Sequence, residues 1–301
     1  MVTLLVGVLV ASVAFTYGQT QDILGVLRAN QETTLLDLIK TAGLEAALSG
    51  PGPFTIFAPS NVAFLRLGYS TIQSLKSDPT ALAQVLTYHV INGSYAYNAI
   101  HANEMMLTTL AGPKIRVNYY MGKNTTTVQG TGFTRYDLRA SNGIVHIIDH
   151  VMMAPNGSIM DYISSKPNLS TLKAAIEAAG LTSALSEGPY TLIAPTNDAF
   201  EKLGNQTVQA LLGNPELLRS ILLYHVIRGT LYSVGIQTGS YHTLEDIDYE
   251  RINAVSGTYI TIDGHVVSNK DISVTNGVVH TLSYVLVPSS LAGAVKALAN
   301  P

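Results

Sequence analysis

The stretch FTIFAPSNVAF, Phe54 to Phe64, is written a second time as YTLIAPTNDAF, Tyr190 to Phe200. The echo continues on both sides. Pro53 matches Pro189, TIQSLKSDP (Thr71–Pro79) matches TVQALLGNP (Thr207–Pro215), and YHVI (Tyr88–Ile91) matches YHVI (Tyr224–Ile227). The offset is 136 at each point, as from Asn61 to Asn197 and from His89 to His225. Farther on, SNGIVH (Ser141–His146) matches TNGVVH (Thr275–His280) at an offset of 134, which means one small loop deletion. A unit this long exceeds a solenoid repeat and reads as a duplicated domain. APNGS (Ala154–Ser158) is the short linker between the copies.

Each copy has the same internal pattern. Leu35, Leu38, Ile39 and Ala42 have helical spacing with Gly43 placed to end the helix, and Leu172, Ala175, Ile176, Ala179 and Gly180 repeat it. FTIFAP and YTLIAP are short β-rich runs ended by Pro. Ser60 and Thr196 then stand where a helix N-cap belongs, and Asp198 suits that helix's positive end. A further helical stripe carries Leu82, Val85, Leu86, His89 and Val90, matched by Leu218, Ile221, Leu222, His225 and Val226. Asn142-Gly143 and Asn276-Gly277 are hairpin-turn signals, each followed by a continuous apolar strand. The expected fold is α+β, with helices early in each copy and a β-sandwich or strongly twisted sheet late.

The chain has 301 residues, enough for about two domains. Hydrophobic residues make up 47%, so each half can bury a core, and 17 Lys+Arg against 20 Asp+Glu with no basic run argue against nucleic acid as a partner. Residues 1–18, MVTLLVGVLVASVAFTYG, are apolar and uncharged and read as a secretory signal peptide, with an N-terminal anchor as the alternative. No other run approaches the ~20 apolar residues of a transmembrane segment. Domain 1 is then expected over residues 19–153, the linker over 154–158, domain 2 over 159–288 and a tail over 289–301. Cysteine is absent, and domains of ~130 residues can manage without disulfides. Five Asn-x-Ser/Thr sequons, at Asn92, Asn124, Asn156, Asn168 and Asn205, lean towards an extracellular glycoprotein.

At this point three ordered motifs, each present twice, resemble those of fasciclin-type adhesion domains. FTIFAPSNVAF and YTLIAPTNDAF resemble the first homology box. NGIVHIIDHVMMAP and NGVVHTLSYVLVP resemble the second, and Tyr88-His89 and Tyr224-His225 resemble the Tyr-His motif between them. The resemblance covers roughly residues 20–288 and implies tandem fasciclin-type domains in a secreted matrix or cell-surface adhesion protein. Members with four such domains add a Cys-rich module. This chain has two copies and no Cys, so that module's contacts are not implied.

The resemblance also implies an integrin-binding role for the Tyr-His pairs. Helical periodicity places His89 and His225 on the buried face instead, where an imidazole needs a hydrogen-bond partner and is neutral. Both readings stay open if a partner reads the neighbouring tyrosines. The copies differ just beyond this motif. Domain 1 has the Asn92 sequon, whose glycan would shield that end, and domain 2 has the cation Arg228. NKDIS (Asn269–Ser273) resembles the family's Asn-Lys-Asp-Ile-Leu adhesion element, so Asn269, Lys270, Asp271 and Ile272 are candidate contact residues. Asp271 is a candidate carboxylate for an integrin's metal ion. Ser273 replaces the element's Leu, and a β-strand entrance with a capping Asp is the alternative. The equivalent in domain 1 is RYDLR (Arg135–Arg139), so domain 2 is expected to be the adhesive one.

Asn61 and Asn197 are expected to hydrogen-bond the adjoining turn while Phe64 and Phe200 fix the helix to the core. His146 and His150 lie four apart on a strand, ~13 Å, and cannot share a metal ion. No nucleophile elbow, zinc-protease motif or phosphate loop is present, so no enzyme activity and no cofactor are expected. Two other function classes remain open: a carrier of small apolar ligands such as carotenoids or lipids, and a passive structural component of an organic matrix.

Overall fold

The computed structural model describes residues 21–245 and 250–299. The expected signal peptide lies outside the described residues. In the first copy, α1 (Ile23–Ala29), α2 (Thr33–Thr41) and α3 (Glu45–Leu48) lead into β1 (Phe54–Pro59). Then come α4 (Asn61–Leu67), α5 (Tyr69–Ser77) and α6 (Pro79–Tyr88), followed by β2 (Val90–Asn92), β3 (Met105–Thr108), β4 (Lys114–Tyr120), β5 (Thr125–Val128), β6 (Thr131–Ala140) and β7 (Gly143–Ile148).

The second copy repeats the plan. It has α7 (Ile159–Ser165), α8 (Ser170–Ala178), β8 (Tyr190–Pro195), α9 (Asn197–Leu203), α10 (Asn205–Leu212) and α11 (Pro215–Tyr224). The strands β9 (Val226–Arg228), β10 (Gly239–His242), β11 (Arg251–Ser256), β12 (Ile260–Ile262), β13 (His265–Val274) and β14 (Gly277–Leu282) follow, and α12 (Ala292–Ala299) ends the described chain.

Each copy builds one seven-stranded sheet, in the orders β2-β1-β7-β6-β5-β4-β3 and β10-β11-β12-β13-β14-β8-β9. The first- and second-box strands sit side by side in parallel, with Phe54 opposite Gly143 and Tyr190 opposite Gly277. The other named pairings are antiparallel. A parallel central pair is covered on both faces, which explains the continuous apolar runs. Ile56, Ala58, Val145 and Ile147 face the helices, whereas Phe57 and Ile148 join Ile115, Val117 and Val128 on the other side. Leu192, Ala194 and Val279 against Ile193 and Leu282 repeat that division.

Local signals explain the helix ends. Gly43 and Gly180 follow their helices at φ 67° and 64°, the left-handed region that glycine enters without cost. Ser60 caps α4 by accepting from Ala63 N at 3.1 Å. Thr196 occupies the same position before α9 but makes no such bond, and its buried hydroxyl has no partner among the described residues. Ser158 leaves the expected linker to form a capping box with Asp161 at the start of α7. The helical stripes through the Tyr-His motifs end at Tyr88 and Tyr224. His89 and His225 are the residues that cap these helices, and Val90 and Val226 already begin strands.

Candidate functional site

His89 and His225 are 1% and 0% exposed. Each ring ties the end of its helix to a distant strand exit. His89 Nδ1 donates to Val85 O at 2.8 Å, and its Nε2 accepts from Met152 N at 2.9 Å. His225 does the same with Ile221 O and Leu286 N, at 2.7 and 2.9 Å. An amide nitrogen only donates, so the proton sits on Nδ1 and the ring is neutral. Burial pulls both imidazoles down to about 4. Tyr88 and Tyr224 are buried beside them, donating to Lys114 O and Arg251 O, each at 3.1 Å. Burial raises both phenols. A partner would reach these four side chains only by opening the core.

A second histidine pair holds the Asn-Lys-Asp-Ile element. β13 is irregular between Asn269 and Ile272, and Asp271 sits there in a left-handed conformation at φ 63°. Its amide donates to His280 Nδ1 at 3.2 Å, and His280 Nε2 donates to Leu231 O at 2.9 Å. The Asp271 carboxylate accepts from Ser233 N at 2.6 Å and from the Ser233 hydroxyl. In the first copy Asp137, at φ 57°, is held by His146 and accepts from Tyr97 N at 2.7 Å. This shared arrangement leaves Asp271 half-buried, with both carboxylate oxygens engaged by Ser233. Asn269 and Lys270 beside it are exposed, and Ile272 is half-buried.

The two copies meet through a polar joint that sequence reading missed. On β4 the side chains alternate. Ile115 and Val117 enter their own core, while Arg116, Asn118 and Tyr120 face the second copy. Arg116 donates to Glu104 at 2.6 Å and to Thr275 O at 3.2 Å. Glu104 Oε1 accepts from both the amide and the hydroxyl of Thr230, at 2.6 and 2.8 Å. Asn118 donates to the Thr230 hydroxyl at 2.8 Å. The Tyr120 hydroxyl donates to Thr230 O and accepts from Tyr232 N, at 3.1 and 2.9 Å. Tyr232, its phenol pushed up to about 12 by burial, lies against Gly130 and meets the Ser273 hydroxyl at 2.9 Å. The signal available in the sequence was an Arg and an Asn alternating with Ile115, Val117 and Tyr119.

Beside this joint, reaching it at Gly130 and Ser273, lies an open cleft of about 570 Å³ between the copies, whose lining includes Asp149, His150, Lys166, Lys270 and Asp271. Arg228 is exposed but lies elsewhere, in a depression beside His242 and Leu244. The expected contact residues are therefore not one constellation. Among the sequons, Asn92, Asn124, Asn156, Asn168 and Asn205 are all exposed, and Asn156 stands on the rim of the cleft.

Asn61 and Asn197 hold the turn before their neighbouring helix. Asn61 accepts from Thr34 N at 3.0 Å and donates to Gln31 O at 2.7 Å, and Asn197 accepts from Thr171 N at 3.1 Å and donates to Pro167 O at 3.0 Å. His146 is buried, whereas His150 is exposed and paired with Asp149. Among the described residues no group of three or more His, Asp or Glu could hold a metal ion, and no helix is long and apolar enough to cross a membrane.

The pattern of the fasciclin domain matches this chain twice, over residues 30–154 and 167–288. The chain belongs to the fasciclin domain family. Its two fasciclin domains are 35% identical over 273 residues to the transforming growth factor-beta-induced protein ig-h3 of Sus scrofa, covering 89% of this chain and 39% of that protein. They are 31% identical over 271 residues to periostin of Homo sapiens, covering 89% of this chain and 32% of that protein. A shorter match, 35% over 130 residues, reaches the cell surface glycolipoprotein MPB83 of Mycobacterium bovis, covering 42% of this chain and 58% of that protein. The chain spans less than half the length of the first two relatives.

Proposed function

We propose that this chain is a secreted, N-glycosylated adhesion protein of the extracellular matrix or cell surface. It acts by protein–protein contact through the second fasciclin domain, with an integrin as receptor and matrix proteins as further partners. The observation that supports this reading is the difference between the copies at the bulge. In the first domain Arg135 is tied to Asn30 at 2.6 Å and Tyr136 is stacked on Tyr97. In the second, Asn269 bonds Thr281 Oγ1 through its amide and its side chain, at 3.1 and 3.3 Å, while Lys270 stands exposed on the lining of the cleft, next to the Asp271–Ser233 bonds. Lys270 is then the contact cation and Asp271 the residue that positions it. Exposed sequons fit a surface that must stay soluble while carrying one open face.

The test is attachment of integrin-bearing cells to surfaces coated with the full chain. Lys270→Ala and Asp271→Asn are expected to lower attachment, and chelation of divalent cations to abolish it. Undiminished attachment by both variants sinks the assignment to this element, and attachment that survives chelation sinks the integrin.

A further inference from the structure

A strip of aromatic rings runs across the first domain and stops at a sequon. The Tyr119 ring centroid lies 3.7 Å from that of His101. His101 lies 5.9 Å from Tyr97, and Tyr97 stacks on Tyr136 at 4.2 Å with the rings 20° apart. His101 and Tyr136 are exposed, and Tyr97 and Tyr119 are half-buried. The Tyr119 hydroxyl donates to Asn124 Oδ1 at 3.0 Å. Asn124 is exposed and left-handed, at φ 45°, in the turn between β4 and β5. The sequon hydroxyl, Thr126 Oγ1, meets His101 Nδ1 at 2.9 Å. Asparagine and strip are thus bonded at both ends of the sequon.

The second domain is an internal control. The Tyr88–Lys114 and Tyr224–Arg251 bonds align β4 with β11 and so place Ser256 where Tyr119 stands. The repeat offsets put Ser233 at Tyr97, Gln237 at His101 and Lys270 at Tyr136. No sequon follows β11. Strip and sequon occur together in one copy and are missing together from the other.

We propose that the strip is a carbohydrate seat for the chain's own glycan on Asn124, whose first N-acetylglucosamine lies on Tyr119 and His101. The inference rests on the reading of the chain as a secreted glycoprotein. Apolar sugar faces stack on aromatic rings, and the Tyr119 bond to Oδ1 fixes the amide plane so that Nδ2 carries the sugar in one direction. The linkage forms when Nδ2 attacks C1 of a lipid-diphosphate-linked oligosaccharide: the N–C bond forms, the C–O bond to the diphosphate breaks, the lipid diphosphate leaves and the amide loses a proton. Thr126 is 1% exposed, so transfer precedes closure of this hairpin.

The full chain made in eukaryotic cells is compared with the same chain made without glycosylation, each with and without the pair His101→Ala and Tyr119→Leu. Glycopeptide mass spectrometry first reads occupancy of all five sequons. The pair is expected to lower the melting temperature of the glycosylated protein by about 2–4 °C more than that of the bare one. An upfield-shifted sugar proton is expected in the glycosylated wild type and lost in the variant. Equal losses in both preparations with Asn124 occupied overturn the seat, as does a vacant Asn124 beside filled sequons. All five vacant overturns the glycoprotein reading itself.

Discussion

Glu104 of the first domain and Thr230 of the second are joined twice on one carboxylate oxygen, by the Thr230 amide at 2.6 Å and its hydroxyl at 2.8 Å. The other oxygen holds Arg116, whose side chain is 8% exposed. Glu104→Ala removes that guanidinium's carboxylate, leaving it Thr275 O alone, and leaves the Thr230 amide unpaired. Losing one partner of a buried pair costs more than the pair contributes, here about 3 kcal/mol. Denaturant unfolding of the two-domain chain should show that loss, together with separation of one transition into two. A single unshifted transition would remove Glu104 from the joint.

Gly130 tests the same joint without a charge. A Cβ there would fall 2.2 Å from Tyr232 Cδ1, and the backbone is left-handed at φ 74°. Gly130→Ala should therefore part the domains, exposing Tyr232 and raising amide exchange at Thr230 and Tyr232, while the strands of each core stay protected. The expected cost is about 1–3 kcal/mol.

Acid should weaken the fold through its buried histidines. His89 and His225 are neutral in the folded chain to about pH 4 but bind protons below about pH 6.5 once unfolded. The unfolded state binds more protons across that window, so stability falls as pH drops from 6.5 to 4, by about 1.4 kcal/mol per pH unit for each ring. His146 and His280 are lowered too, by burial, and act in the same direction. At pH 5 unfolding should take up at least roughly two protons, measurable calorimetrically in buffers of different ionisation heat. A flat midpoint between pH 7 and 5 would contradict the buried neutral rings.

Much of this was legible in the sequence because it repeats. Two copies of one pattern point to two domains, the helix-ending glycines and the central strands, though not to the parallel pairing of those strands. The helical stripe through Leu82, Leu86 and His89 marked that imidazole as buried, and its helix ends at the residue before. The joint was hidden for the opposite reason. Glu104, Arg116 and Tyr120 work only against Thr230, Tyr232 and Thr275, more than 100 residues away, and a contact made once leaves no internal echo. The structural role of Asp271 was not legible, because resemblance marks a residue without saying which of its atoms is engaged; its twin Asp137, in a different local sequence, makes the equivalent bond.

That twin supplies the last prediction. Asp137 and Asp271 share a left-handed backbone that Asn and Gly tolerate and Ala does not, and each carboxylate accepts an amide from the loop opposite. Alanine at either site loses both the bond and the conformation, a cost of about 2 kcal/mol. Asparagine keeps an accepting oxygen and the conformation and should cost about half as much. Glycine keeps only the conformation and should fall between them. Thermal melts of the six single variants read this order, and it should be the same in both domains if the bulge is structural. An Asp271→Ala chain that melts like wild type while Asp137→Ala does not would instead mean that the second bulge exists for a partner and not for the fold.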